Sequence, residues 1–244
     1  MTPDSIKQLL ERRGIDPSEH LELHNKFSAR KVDFLRTEKG DRRGDFCRIR
    51  SFSLALRQIY LHRALFQMEG TFEALSNENG YSMVLAIRGA FEATAALGYL
   101  HNRLNSLKNG TLNPEQVDND IYTLLLGFRD RSIKKAVELG LPEAKQVMSM
   151  LDYADKSFSK SILGASTETH KFLREEYEFL SEFCHPNSLS NSLAIILDNG
   201  EIHFRYSRNI NQKELDLINP LILSCKIFVE LFDDIDTVLS EIKL

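Results

Sequence analysis

The sequence predicts a mainly α fold, a multi-helix bundle with one small β-hairpin at about 194–206 before the C-terminal helix. Three features carry that expectation. Helix start and stop signals recur along most of the chain. The segment from Tyr81 to about Leu107 is apolar nearly all the way round, as a helix enclosed by others is. Between 194 and 206, Asn199-Gly200 separates two alternating, β-branched runs, the strongest short hairpin signal. With 244 residues, 42% of them hydrophobic, the chain can bury a sizeable core. No repeat, low-complexity tract or long linker interrupts it. A single helical domain over 1–244 is expected, with residues 1–40 as a helical hairpin appended to it.

Taken in order, Thr2 caps a first helix with Pro3 at its first position and Gly14 after its end. Asp16-Pro17-Ser18-Glu19 has the form of a capping box and opens a second helix to about Leu35. The charged, glycine-bearing stretch from Thr37 to Gly44 reads as a loop. A third helix from about Phe46 to Leu75 presents Phe52, Leu56, Ile59, Leu61, Leu65 and Phe66 as its apolar face, and Asn77 to Gly80 ends it. In the fourth helix, Ala86, Gly89, Ala90, Ala93 and Ala96 form a small-residue surface that admits close neighbours. Asn113-Pro114-Glu115-Gln116 starts a fifth helix, with Gly140 as its terminator, and Leu141-Pro142 restarts the chain into a helix ending near Gly164. Ser166 or Thr167 then caps an aromatic helix whose Phe172, Phe179, Leu180 and Phe183 share a face, and Pro186 stops it. After the hairpin, Asn211 to Glu214 is another capping box, and the closing helix carries Pro220 at a kink or between two segments.

The net charge of −4 offers no global attraction for polyanions, and no continuous apolar stretch reaches the roughly 18 residues of a membrane helix. The polar start, Met1 to Ser5, lacks the pattern of a secretory signal, so a cytoplasmic protein with no membrane partner is expected. Cys47, Cys184 and Cys225 are scattered and form no CxxC pair, which reads as reduced thiols in packing roles. Charge is uneven: Arg30 to Arg50 holds eight basic and four acidic residues, Asn211 to Leu244 three basic and seven acidic. These are two solvated surfaces, or surfaces that pair in a homo-oligomer, or a basic stretch that touches phosphate.

Two constellations carry candidate chemistry. Between Asn79 and Asn102 the formal charges are Arg88 and Glu92 alone, four apart and on one helix face. Within an apolar helix such charges either pair to fix packing register or line a pocket, with Arg88 offering a planar fork to phosphate or carboxylate and Glu92 orienting it. The second group is Tyr177, Glu182, His185, Asn187 and Ser188. His185 at a helix end either caps carbonyls or serves as an acid/base or phosphate-contacting group, with Tyr177 and Asn187 as ligand-binding neighbours. Glu182-x-x-His185 has the spacing of a carboxylate-bridged metal bundle, but the chain has one such element where two are needed. No metal or other cofactor is expected. Phosphate loops, GxSxG and HExxH motifs are absent.

Arg57-Gln58-Ile59-Tyr60-Leu61-His62 matches the Arg and His of the HEPN ribonucleases, helical domains with a metal-independent centre, and Arg13 with His20 matches it too. With 17 Arg and seven His, composition alone supplies such matches, and Gln58 stands where that family places Asn, Asp or His. Arg88-Gly89-Ala90-Phe91-Glu92 and Tyr177-Glu178-Phe179-Leu180-Ser181 to His185-Pro186 together resemble a family of uncharacterised bacterial helical proteins with Arg-x-x-x-Glu and Tyr-x-x-Leu-Ser-x-x-x-His-Pro motifs. The resemblance covers about residues 50–240 and implies a bundle in which Arg88, Glu92, Tyr177 and His185 converge. Some members are HEPN-like and tied to anti-phage defence. Two functions follow as expectations. One is a binding or regulatory protein, homodimeric, with an Arg88/Glu92/His185 pocket. The other is a ribonuclease acting on RNA through His185 or His62, with Arg88 or Arg57 stabilising the charge.

Overall fold

The computed structural model of the chain describes residues 1–36, 44–128, 138–159, 171–186, 188–204 and 210–242. Its elements are α1 (Pro3–Arg12), α2 (Ser18–Ala29), α3 (Phe46–Ser76), α4 (Gly80–Lys108), α5 (Pro114–Leu126), α6 (Val147–Ser157), α7 (Phe172–Glu182), α8 (Ser188–Ser192), β1 (Ile195–Asp198), β2 (Glu201–Phe204), α9 (Gln212–Leu215) and α10 (Ile218–Glu241). The fold is mainly α. Helix α4 is its axis, packed against α3, α6 and α10, with α5 and α7 on its remaining flanks.

Most of α4 is enclosed, so its packing is decided by side-chain size. At Gly98 an added Cβ would lie 2.4 Å from the Ala154 Cβ and 2.6 Å from its Cα, which is how α6 comes so close. Two buried polar groups of α4 are matched from α10. Thr94 bonds to Ser224 Oγ at 3.0 Å, and fully buried His101 meets Asp234 of α10 at 2.7 Å. Helix α4 is also long and apolar enough, by length and composition, to cross a membrane. Arg88 and Glu92 break the continuous run, yet one 18-residue window of α4 has a mean hydropathy of 1.3, and 78% of that window is buried inside the bundle.

Helices α1 and α2 pack their apolar faces onto this bundle. Ile6, Leu10, Leu23 and Phe27 belong to the same core cluster, and the Phe27 ring stacks on Phe228 at 5.2 Å. Helix α2 stops at Ala29, short of the expected Leu35. The Arg30 guanidinium donates to the Lys26 carbonyl at 2.7 Å and Gln58 of α3 donates to the Arg30 carbonyl at 3.0 Å, so the last carbonyls are satisfied there. Its start also differs, since Asp16 accepts from Ser18 N without forming a capping box. On α3, Leu56, Leu61 and Leu65 are core, but Ile59 and Phe66 are 46% and 57% exposed.

The Asn113/Gln116 capping box is formed, whereas α5 ends at Gly127 rather than running to Gly140. A Cβ at Gly127 would stand 2.4 Å from the Thr123 carbonyl and 2.8 Å from Ala144 Cα; the chain turns there and bridges Phe128 to Glu143. Pro142 therefore sits in an extended strap, and the next described helix, α6, begins at Val147. Gly164, Ser166 and Thr167 lie outside the described residues. The aromatic helix α7 is capped instead from α6, where buried Asp155 accepts from the backbone of Leu173 at 2.9 Å and Arg174 at 3.1 Å. Leu173, Tyr177 and Leu180 form the buried face of α7, and Phe179 is 45% exposed.

The hairpin forms around Asn199 and Gly200, both at positive φ, with Ile195 opposite Phe204 and Asp198 opposite Glu201. All of β2 is exposed. Asn211 and Glu214 form their capping box, and Pro220 falls in the first turn of α10, where its missing N–H costs nothing. Arg30 of the basic stretch bonds Asp233 of the acidic one at 2.8 Å, while Asp236 pairs with Arg57 of α3 at 2.5 Å and Arg48 with buried Asp118 of α5 at 2.9 Å.

Two outcomes are expected. Gly98→Ala drives a methyl into Ala154 and destabilises the fold by about 1–3 kcal/mol in urea unfolding; an unchanged midpoint contradicts the α4–α6 contact. At Asp155, burial raises the carboxyl pKa from 3.8 to about 6 despite its backbone bonds. A raised folded-state pKa favours the fold most below pH 3.8, and that contribution is lost as pH climbs through about 6. Asp155→Asn, with no charge to bury, therefore gains on wild type between pH 4 and 7, while Asp155→Ala loses the cap at a cost of about 1–2 kcal/mol. A parallel pH profile for wild type and Asp155→Asn counts against that assignment.

Candidate functional site

Helical spacing puts Arg88 and Glu92 one turn apart on the partly open side of α4, and α7 brings Tyr177 onto them. The Asp155 cap and the Arg174–Asp152 pair at 2.6 Å fix α7 against α6 and so set where Tyr177 falls. Arg88 Nη2 donates to Tyr177 Oη at 2.5 Å, and Tyr177 Oη donates to Glu92 Oε1 at 3.0 Å. The two charges lie 3.7 Å apart, and the guanidinium carbon sits 4.8 Å from the centre of the Tyr177 ring. Burial, reinforced by Glu92, pushes the Tyr177 phenol up to about 12, so it stays protonated and can serve as acceptor and donor at once. Burial works against the Arg88 charge, but Tyr177 and Glu92 outweigh it and hold its pKa above the ordinary value. Arg88 Nε is buried without an acceptor among the described residues.

The triad forms part of the wall of a cavity of 730 Å³, a volume suited to a small organic ligand. Tyr60 and Arg63 of α3 line it beside Arg88, Glu92 and Tyr177, while Leu124 of α5 and Val147, Met148 and Met150 of α6 supply an apolar wall. The strap at 143–147 closes one side. It is held by the close approach at Gly127, by Ala144 N donating to the Phe128 carbonyl at 3.2 Å, and by Lys145, which pairs with Asp120 at 2.7 Å.

The other expected site residues lie elsewhere. His185 is exposed and lines a separate concavity with Tyr81, Leu85 and Phe183; among the described residues no hydrogen bond or ion pair joins it to Arg88, Glu92 or Tyr177. Asn187 lies outside the described residues. Cys184 is a free thiol that donates to the Leu180 carbonyl at 3.5 Å. Arg57 is buried against α10, donating to the Phe232 carbonyl at 3.2 Å, pairing with Asp236 and stacking on the Phe232 ring at 4.3 Å. His62 is exposed, edge-on to Phe66 at 4.3 Å. Arg13 pairs with Glu78, and His20 is buried against Phe72. Thus Arg88, Glu92 and Tyr177 come together, and among the described residues no hydrogen bond joins Arg57 to His62 or Arg13 to His20.

Tyr60 and Arg63 were not among the residues picked out by motif. The signal was present in their spacing, because Leu56, Tyr60 and Arg63 recur at one helix face and place two polar groups on an otherwise apolar stripe. No protein-family model, curated protein or solved structure matches the chain.

Tyr177→Phe removes the group that both accepts from Arg88 and donates to Glu92. The expected loss is about 1–2 kcal/mol of unfolding free energy, with a smaller additional loss when Arg88→Met is added. Fully additive losses would show that the triad is not a coupled unit.

Proposed function

We propose that the protein is a helical binding protein with a regulatory role, and that its ligand occupies the cavity beside Arg88, Glu92 and Tyr177. The observation that carries this reading is the meeting of a fixed polar cluster with an apolar wall around 730 Å³ of open space. The cluster is preorganised: each polar group is oriented by another, so ordering it costs a ligand little. A setting in a bacterial defence or stress system rests on the resemblance carried by the Arg-x-x-x-Glu and Tyr-x-x-Leu-Ser motifs. The ribonuclease reading draws less support, since Arg57 is engaged by Asp236 and the Phe232 carbonyl and His62 packs against Phe66.

A small-molecule screen by thermal unfolding tests it. Ligands at about a hundredfold excess over Kd are expected to raise the midpoint by roughly 5–10 °C. Ala96→Trp, which fills the cavity from α4, abolishes the shift. Hits indifferent to Ala96→Trp contradict the assignment. The RNA arm is direct as well: wild-type protein leaves mixed RNA intact, and cleavage that Arg57→Ala or His185→Ala abolishes would replace the binding reading with an enzyme.

A further inference from the structure

The cavity beside the triad contains polar groups that its own walls leave unmatched. Tyr60 lines the space, and no hydrogen bond joins its hydroxyl to another described residue. The hydroxyl is not one of the fully enclosed unpaired atoms, so it is open to the cavity and free to bond what fills it. Arg63 follows three residues later on the same face of α3, at the solvent-exposed rim of the same cavity, and has no carboxylate partner among the described residues. The two groups sense each other: burial raises the Tyr60 phenol and the Arg63 charge opposes that rise. The phenol is protonated at neutral pH and available as a donor.

Charge around the cavity sharpens the picture. Arg88 is taken up by Tyr177 and Glu92, Lys145 by Asp120, and Glu143 is itself engaged. Among the described residues that line the cavity, Arg63 is the cation with no carboxylate paired to it, and its guanidinium is solvated at the rim. Opposite it stand Leu124, Val147, Met148 and Met150, which offer an apolar body nothing polar to bond.

We propose that the occupant is an amphiphilic oxyanion, a carboxylate or phosphomonoester on an apolar chain, whose head is held by the Tyr60 hydroxyl and the Arg63 guanidinium. The inference rests on the cavity being the binding site. One oxyanion oxygen accepts from Tyr60 Oη–H while the guanidinium supplies parallel N–H donors and the balancing charge. In the triad the Arg88 charge is already balanced by Glu92, so a single-headed ligand fits better than a dianionic one with charges at both ends.

Isothermal titration calorimetry with octanoate, octyl phosphate, octanol and octylamine tests the assignment. At least one of the two anions binds, and the neutral and cationic analogues bind about tenfold more weakly or not at all. Arg63→Ala weakens anion binding about tenfold or more, and Tyr60→Phe about threefold to tenfold. Circular dichroism of both variants matches wild type, because neither change breaks a bond within the protein. Octanol binding as tightly as the anions, or anion binding that survives Arg63→Ala but is lost in Ala96→Trp, overturns the oxyanion assignment and keeps the cavity as the site. Anion binding untouched by Ala96→Trp, or no binding by any of the four at millimolar concentration, overturns both.

Discussion

Enclosure of α4 is the constraint on which the remaining structure depends. A helix with neighbours on nearly every side cannot leave its polar groups to water, and each must be met from an adjacent element. Thr94 is met by Ser224, His101 by Asp234, and the Arg88/Glu92 pair by Tyr177. Those matches fix the position of α10 along α4 and of α7 across it. The same constraint governs approach distances, since Gly98 lets α6 reach α4 where any side chain would hold it off.

The cavity follows from that arrangement. Around Arg88 and Glu92, α4 turns charges outward, and no helix can lie flush against a guanidinium and a carboxylate without stranding them. Helix α7 reaches in through one tyrosine, α3 passes on the other side, and α5 is cut short at Gly127 so that an extended strap, not a helix, covers the gap. A strap packs less densely than a helix. Space is left between it and α3, and the side chains facing that space include Tyr60 and Arg63, whose polar groups the bundle does not use. Structural register and an open cavity are thus two consequences of the same pair of charges, rather than competing explanations of it.

Much of this was legible in the sequence where a local rule decided the outcome. The long apolar segment became the axial helix, Asn113 and Asn211 became capping boxes, and Asn199-Gly200 became the hairpin turn, because each depends on residues within a few positions. What failed depended on distant partners. The end of α5 is set by Ala144, the end of α2 by Gln58, and the start of α7 by Asp155, none of which a local window contains. The candidate site divides along the same line. Arg88, Glu92 and Tyr177 were visible as charges and an aromatic in unusual company, whereas His185, expected beside them, lines a neighbouring concavity with Leu85 and is not hydrogen-bonded to the triad among the described residues. Tyr60 and Arg63 carry no motif; their meaning arises only when α3 is laid beside the strap.

Segregated charge offers a similar lesson. The basic stretch near residue 40 and the acidic C-terminal helix touch within one molecule through Arg30 and Asp233, while Arg48 pairs with Asp118 of α5 and Asp236 with Arg57 of α3. Complementary ends of one sequence are first of all able to satisfy each other. The claim that matters most is that the space between Tyr60 and the Arg88 triad is occupied when the protein works, and the most direct measurement is a crystal structure of the protein soaked with octyl phosphate. The account predicts density for the phosphate head within hydrogen-bonding distance of Tyr60 Oη and Arg63, with the chain running along Met148 and Met150. Density for the amphiphile elsewhere, with only water between Tyr60 and Arg63, would contradict it.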